Sequence, residues 1–233
     1  MQIKRLPELS VFFPAYNEKH NIKHALESAY KVIPEYAEKF EVIIVDDGST
    51  DGTSQLADEL KKEYKNLKVV HHDKNYGYGK ALRTGFENSS YQYVFFSDSD
   101  RQFDLNEIRK LVPLMDEADI AAGIRVNRKD PFYRRLNAKA YNILVKILFG
   151  LNVRDIDCAF KLIKKKVLND VKLKSESQFV SAEFLIKASK KGYRIKQVGV
   201  THLPRTYGKP TGNSIKAIVN SFKELFKLRQ QLK

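Results

Sequence analysis

Asp98 and Asp100 stand one residue apart in "YVFFSDSDRQF", immediately after the apolar run Tyr93–Phe96. At the end of a strand, residues two apart share a face, so the two carboxylates repel unless a cation lies between them. Hard divalent ions such as Mg²⁺ or Mn²⁺ take one or two carboxylates and fill their other positions with water and phosphate oxygens. Gln102 adds a neutral oxygen nearby. A metal held there would neutralise a diphosphate leaving a nucleotide.

Other nucleotide-binding devices fit less well. "NYGYGKALRTG" (75–85) has Gly77 and Gly79 before a helix, but Gly85 is out of place for G-x-G-x-x-G, and the stretch follows the third strand rather than the first. No G-x-x-x-x-G-K-[ST] occurs. His71, His72 and Asp73 raise the question of a metal site, but neighbours on a strand point oppositely. They read as solvated turn residues.

The elements that must hold the carboxylates follow from periodicity. Leu9–Phe13, Val42–Val45, Leu67–His71, Tyr93–Ser97 and Ile120–Gly123 read as strands. Between them, 18–33, a helix capped by Thr50 or Asp51 and running to about Tyr64, 79–88 and Leu105–Met115 carry helical spacing. Strands apolar on both faces and alternating with helices predict a mostly parallel, Rossmann-like α/β sheet flanked by helices, in one domain. Ligands of such sheets bind beyond the carboxyl ends of the strands. The segments there are "PAYNE", "DDGSTDG", "SDSD" and "GIRVNR".

Composition narrows the partners. The 233 residues carry 42 Lys and Arg against 28 Asp and Glu, a formal charge of +14, with basic residues gathered in 125–139, 161–174 and the C-terminal segment. Such asymmetry suits nucleic acid, an anionic membrane or phosphorylated small molecules. Aromatic residues are not concentrated in one basic stretch and no nucleic-acid-binding motif appears, so nucleic acid is the least favoured. Cys158 is alone, which excludes an intramolecular disulfide. The start "MQIKRLPELSVFF" lacks a signal-peptide core, and no window has the 18 or more apolar residues of a membrane span. A cytoplasmic location is expected. Two segments, 132–150 and 213–233, combine apolar stripes with lysine and arginine: Leu136, Ala140, Ile143, Leu144, Ile147 and Leu148 in the first, and Ile215, Ile218, Val219, Phe222, Leu225, Phe226 and Leu232 in the second. Basic amphipathic helices lie on anionic membrane surfaces, although both stripes would equally cover a sheet.

"VFFPAYNE", "IIVDDGSTDGT", "SDSD", "GIRVNR", "DIDCAFKLIKK" and "AEFLIKASKKGYRI" occur in that order. Together they resemble the family 2 glycosyltransferases with a GT-A fold, and among these the dolichyl- or polyprenyl-phosphate mannose and glucose synthases. The likeness runs from about residue 8 to 212. It implies a GT-A domain over 1–212 followed by a basic amphipathic helix over 213–233. By the same resemblance Pro14, Tyr16, Glu18, Val45 and Asp47 line the base and ribose pocket. Asp98, Asp100 and Gln102 hold Mg²⁺ or Mn²⁺ and the diphosphate, with Ser99 between them. Arg125, Arg134 and Arg205 stand near phosphates, and Glu183 lies behind the site. Asp157, Asp100 and Arg125 are the implied catalytic residues. Two positions depart from the family pattern: Ala138 stands where a serine is common, and the late phosphate loop reads "RTYGKPTGN", with its lysine displaced to Lys209.

The reaction so implied is a metal-dependent, inverting transfer of a hexose from a nucleotide diphosphate sugar, of the GDP-mannose or UDP-glucose type, to a polyprenyl phosphate. The enzyme would sit peripherally at the cytoplasmic face of a membrane, or on a membrane-anchoring partner. A saccharide hydroxyl is the alternative acceptor, and Asp157 would then be the general base. A metal-free nucleotide sensor and a nucleic-acid-binding protein are the non-enzymatic alternatives.

Overall fold

The computed structural model describes residues 4–126, 132–208 and 215–232; the side chains of 132–135 and 215–219 lie outside that description. The strands are β1 (Leu6–Ala15), β2 (Ala37–Asp46), β3 (Leu67–His71), β4 (Tyr93–Ser97), β5 (Ile120–Val126), β6 (Phe160–Lys164) and β7 (Ile195–Thr201). They form one sheet in the order β3-β2-β1-β4-β6-β5-β7. β1 pairs in parallel with β2 and β4, β2 with β3, and β5 with β7. β6 alone runs antiparallel, to β4 on one side and β5 on the other.

The helices are α1 (Ile22–Val32), α2 (Thr53–Glu63), α3 (Tyr78–Asn88), α4 (Ile108–Leu111), α5 (Phe132–Phe149), α6 (Lys165–Asp170), α7 (Val180–Lys190) and α8 (Ile215–Gln231). Alternation along β1 sorts the core into two layers. Val11 and Phe13 pack with Ile22, Leu26 and Leu60 of α1 and α2, while Phe12 faces Leu82 and Phe86 of α3 and the α7 residues Phe184 and Leu185. α3 rides close to the sheet: a Cβ on Gly85 would lie 2.3 Å from the Phe12 ring.

The expected 105–115 helix is broken into the single turn α4 between two 3₁₀ turns, 105–107 and 112–116. Pro113 lacks an N–H and its ring crowds the carbonyl four residues back, so a continuous helix cannot pass it. The 132–150 stripe divides. Val145 and Phe149 are buried and Leu144 and Leu148 pack on the core, whereas Leu136, Ala140, Ile143 and Ile147 face outward. α8 anchors through Leu225 and Leu228, which are buried, and through Phe222, whose ring meets Tyr141 of α5 edge-on at 5.8 Å.

Candidate active site

Where β4 ends, Phe96 and Ser97 are still buried and the chain turns through Asp98, Ser99 and Asp100. Arg101 takes a left-handed backbone (φ +65). This reversal brings the Gln102 N–H within 3.1 Å of Asp100 Oδ1. Ser99 Oγ donates to the Pro14 carbonyl at 2.9 Å, tying the acidic turn to the end of β1. Asp100 is buried and Asp98 half-buried. Burial, followed by the charge of Asp100, pushes Asp98 up to about 7. Burial also raises Asp100. Two carboxylates held side by side in such surroundings call for positive charge nearby.

Part of that charge comes from Arg205. Its Nη1 lies 3.2 Å from Asp100 Oδ2 and its Nη2 pairs with Glu18 Oε1, while Nε donates to the Tyr207 carbonyl at 2.7 Å. Glu18 is buried, which raises its pKa against the opposing hydrogen bond from Asn21 at 2.6 Å. One guanidinium therefore joins the loop after β1, the acidic turn and the segment after β7. Tyr207 closes this side by stacking on His20, centroids 5.5 Å apart. Among the described residues no cluster of three or more His, Cys, Asp or Glu side chains could enclose a metal ion. Two all-oxygen carboxylates fit Mg²⁺ or Mn²⁺ completed by water and phosphate oxygens, and do not fit a fully caged structural metal.

The other expected residues are placed as follows. Pro14 is buried beside half-buried Tyr16 and next to Glu18. Val45 has its side chain wholly in the core, so backbone is all it offers the cleft. Asp47 is occupied: it accepts from the Tyr76 N–H at 3.0 Å and the Gly77 N–H at 2.8 Å, and shares a 2.6 Å hydrogen bond with His72 Nδ1. Gln102 donates through Nε2 to the Leu203 carbonyl at 3.1 Å. Arg125 is gripped by Asp155, with Nε to Oδ2 at 2.9 Å and Nη2 to Oδ1 at 2.7 Å. Burial opposes the Arg125 charge, but this bidentate pair outweighs it and raises the pKa. Asp157 belongs to the turn before β6, where the ammonium of Lys161 donates to the flanking carbonyls of Ile156 (3.1 Å) and Cys158. Arg134 falls outside the described side chains, and Lys209 outside the described residues.

One expectation is corrected. His71 is exposed but ends β3 rather than sitting in a turn, and bridges Asp46 (2.8 Å) and Asp58 (3.2 Å); the His72 side chain is only 8% exposed between Asp47 and Thr84, while Asp73 is exposed in a bend as expected. Asp46, the last residue of β2, and Asp47 just beyond it thus take the adjacent histidines at the end of β3.

Sequence reasoning missed Tyr78, Asp155 and Lys161. The phenol of Tyr78 donates to Asp98 Oδ1 at 3.0 Å. A clue lay in "DIDCAF", where Asp155 alternates with Asp157 as Asp98 does with Asp100.

A model of the family described as Glycosyl transferase family 2 matches residues 10–172. Among curated proteins the chain is similar to glycosyltransferase AglD of Haloferax volcanii, 29% identical over 85% of this chain and 33% of that protein. It is similar to dodecaprenyl-phosphate galacturonate synthase of Rhizobium johnstonii, 30% identical over 86% of this chain and 60% of that protein. It is also similar to undecaprenyl-phosphate 4-deoxy-4-formamido-L-arabinose transferase of Proteus mirabilis, 26% identical over 92% of this chain and 66% of that protein. The chain thus spans from one third to about two thirds of these relatives' lengths. Among solved structures, glucosyl-3-phosphoglycerate synthase of Mycobacterium tuberculosis, in complex with Mn²⁺, UDP and glucosyl-3-phosphoglycerate, superposes with a TM-score of 0.74. That match is 20% identical and covers 96% of this chain and 80% of the other. At that identity the likeness establishes the shared GT-A fold.

Proposed function

Because the chain belongs to glycosyltransferase family 2, we propose that it moves a hexose from a nucleotide diphosphate sugar to a polyprenyl phosphate, with inversion and with a divalent ion. The observation that carries this reading is half-buried Asp98 beside buried Asp100 in the turn at the carboxyl edge of the sheet, with the Arg205 guanidinium 3.2 Å from Asp100. The relatives named for dodecaprenyl and undecaprenyl phosphate support the acceptor.

Asp98 and Asp100 would hold Mg²⁺ or Mn²⁺. The ion's chemistry is to stabilise the negative charge that grows on the diphosphate as the glycosidic bond breaks. Pro14, Tyr16 and Glu18 border the nucleoside side of the cleft. Arg205 pairs with carboxylates from two walls and brings a guanidinium within reach of phosphate oxygens. A phosphate monoester is already ionised near neutrality, with a second pKa of roughly 6, so such an acceptor needs no base. Asp157 then orients sugar or acceptor. Ala138 and the displaced Lys209 weaken particular phosphate contacts that the resemblance implies and leave the donor open, so a second reading stands beside the first. In that reading a saccharide hydroxyl attacks and Asp157 takes its proton.

Access to a lipid phosphate calls for contact with a membrane surface. Among the described residues no helix is long and apolar enough to cross a membrane. The outward stripe of α5 exposes Ile147 at 73%, Leu136 at 54% and Ile143 at 49%, and Phe226 of α8 is 50% exposed. Lys139, Lys146, Lys223 and Lys227 are exposed on the same helices. Such a face suits peripheral docking on the anionic cytoplasmic side of a membrane.

A panel of radiolabelled nucleotide sugars offered to detergent-solubilised undecaprenyl or dolichyl phosphate, with and without EDTA, tests all three parts. Label entering the organic phase only with metal is the expected result. Label confined to water-soluble saccharide acceptors would transfer the assignment to the second reading, and EDTA-insensitive transfer would remove the metal.

A further inference from the structure

Among the described residues, Tyr78 is the one hydrogen-bond partner of the Asp98 carboxylate, and it engages Oδ1 alone. A carboxylate only accepts, so the phenol must donate. Burial first, then the Asp98 charge, hold the phenol pKa well above 10, and it stays a donor across the physiological range.

The position of this hydroxyl is fixed from both sides. Tyr78 is the first residue of α3 and follows Gly77, whose left-handed backbone (φ +99) sends its N–H to Asp47 Oδ2 at 2.8 Å. Gly79 follows, with its N–H on the Glu176 carbonyl at 2.9 Å. A Cβ on Gly79 would lie 2.6 Å from the Ser175 carbonyl oxygen, so no other residue allows this approach. The 174–176 loop is held in turn by Glu183, whose carboxylate accepts from the N–H groups of Lys174 (3.0 Å) and Ser175 (2.9 Å) and pairs with Lys187 at 2.5 Å. A glycine on each side and a clamped loop behind leave the ring one place to go. The sequence pattern alone does not require a tyrosine there, since a leucine or phenylalanine would fill the same apolar space.

We infer that Tyr78 is a positioning residue, its hydroxyl pinning one oxygen of Asp98 so that the carboxylate keeps one orientation and leaves its second oxygen to the divalent ion. The inference rests on the metal-binding reading of the Asp98–Asp100 pair. Groups that orient a metal-binding side chain typically contribute about 10- to 100-fold to metal affinity or activity.

The test is Mn²⁺ binding by the whole chain, followed by electron paramagnetic resonance in the presence of UDP or GDP, for the parent and Tyr78→Phe. Phenylalanine keeps the ring and removes only the donor. The expected result is a Kd for Mn²⁺ raised about tenfold, with the metal-free thermal midpoint nearly unchanged, and with part of the lost transfer rate restored by excess Mn²⁺. Equal Kd values for the two proteins overturn the inference and leave the metal reading intact. A lowered midpoint with unchanged Kd overturns it too, because the hydroxyl then serves only the fold. If the parent itself binds no Mn²⁺ with either nucleotide, the metal reading fails and the role of Tyr78 falls with it.

Discussion

On the proposed reading, protons and a divalent ion compete for Asp98. Its pKa is raised from 3.8 to about 7, so the native protein carries an extra proton relative to the unfolded chain between those values. Two consequences follow, with opposite signs. Metal-supported transfer falls as pH drops through about 7, which a pH profile at subsaturating Mn²⁺ will show as a shift that added metal suppresses. The metal-free protein, by contrast, loses stability as pH rises through about 7, because the extra proton is then lost from a buried site. Asp98→Asn removes that penalty. At pH 8 it is expected to raise the metal-free melting temperature by a few degrees, about 2–4 °C per kcal/mol at this size. The same variant is expected to lower transfer by roughly a hundredfold or more, the scale seen when an electrostatic stabiliser is removed. Scanning calorimetry beside the lipid-transfer assay checks both; a destabilised and still active variant would contradict the assignment.

Residues that follow strands were legible because their type and place coincide. Carboxylates after an apolar run can be read from a string of letters. Their partners cannot. Arg205 lies 187 positions from Glu18, and 105 from Asp100. Tyr78 and Asp155 act through contacts that only the folded sheet creates. Val45 shows a different limit: the motif names the position, while only the fold shows that its side chain is in the core and its backbone is what can face the cleft.

For the elements, the strands β1 to β5 were predictable and β6 and β7 were not. β1, β2 and β4 are buried on both faces and read as continuous apolar runs. β6 is the five residues Phe160–Lys164 with Lys161 second, a lysine that is 1% exposed where charge ordinarily signals surface. β7, at the sheet edge, is mostly half-buried and carries Lys196 and Gln197, so its apolar pattern is diluted. The brace behind α3 is equally unreadable, since it depends on Glu183 reaching backbone nine and eight residues away. Removing it should be costly. Glu183→Ala leaves one buried and one half-buried N–H group without a carboxylate, for an expected loss of about 1–3 kcal/mol, measurable by urea denaturation. Gly79→Ala forces a methyl group into the 175–177 backbone and should cost at least about 1–3 kcal/mol. Glu183→Gln, which keeps an acceptor, should lose less than Glu183→Ala.

At the level of the whole molecule, the +14 charge and the outward face of α5 would act together if the protein docks on a membrane as proposed. Each basic group near an anionic surface adds about 1 kcal/mol, a contribution that salt screens within a Debye length of roughly 8–10 Å. Sedimentation with phosphatidylserine-containing vesicles should therefore be strong at low salt and weak at about 0.5 M. Ile143→Glu combined with Ile147→Glu should reduce it at least several-fold without lowering the melting temperature, because both side chains already face solvent. Vesicle binding unaffected by those changes would place the docking face elsewhere.

The direction of β6 bears on how such a molecule can diversify. Its neighbours deliver their last residues to the cleft, whereas β6 delivers the turn ahead of it, carrying Asp155 and Asp157. The pairing of Phe96 with Lys161 and of Ala121 with Leu162 fixes the strand laterally whatever precedes it. Insertions or deletions between α5 and β6 can accordingly reshape one wall while the frame stays in register, so substrate preference on that wall can drift without the carboxylate pair moving.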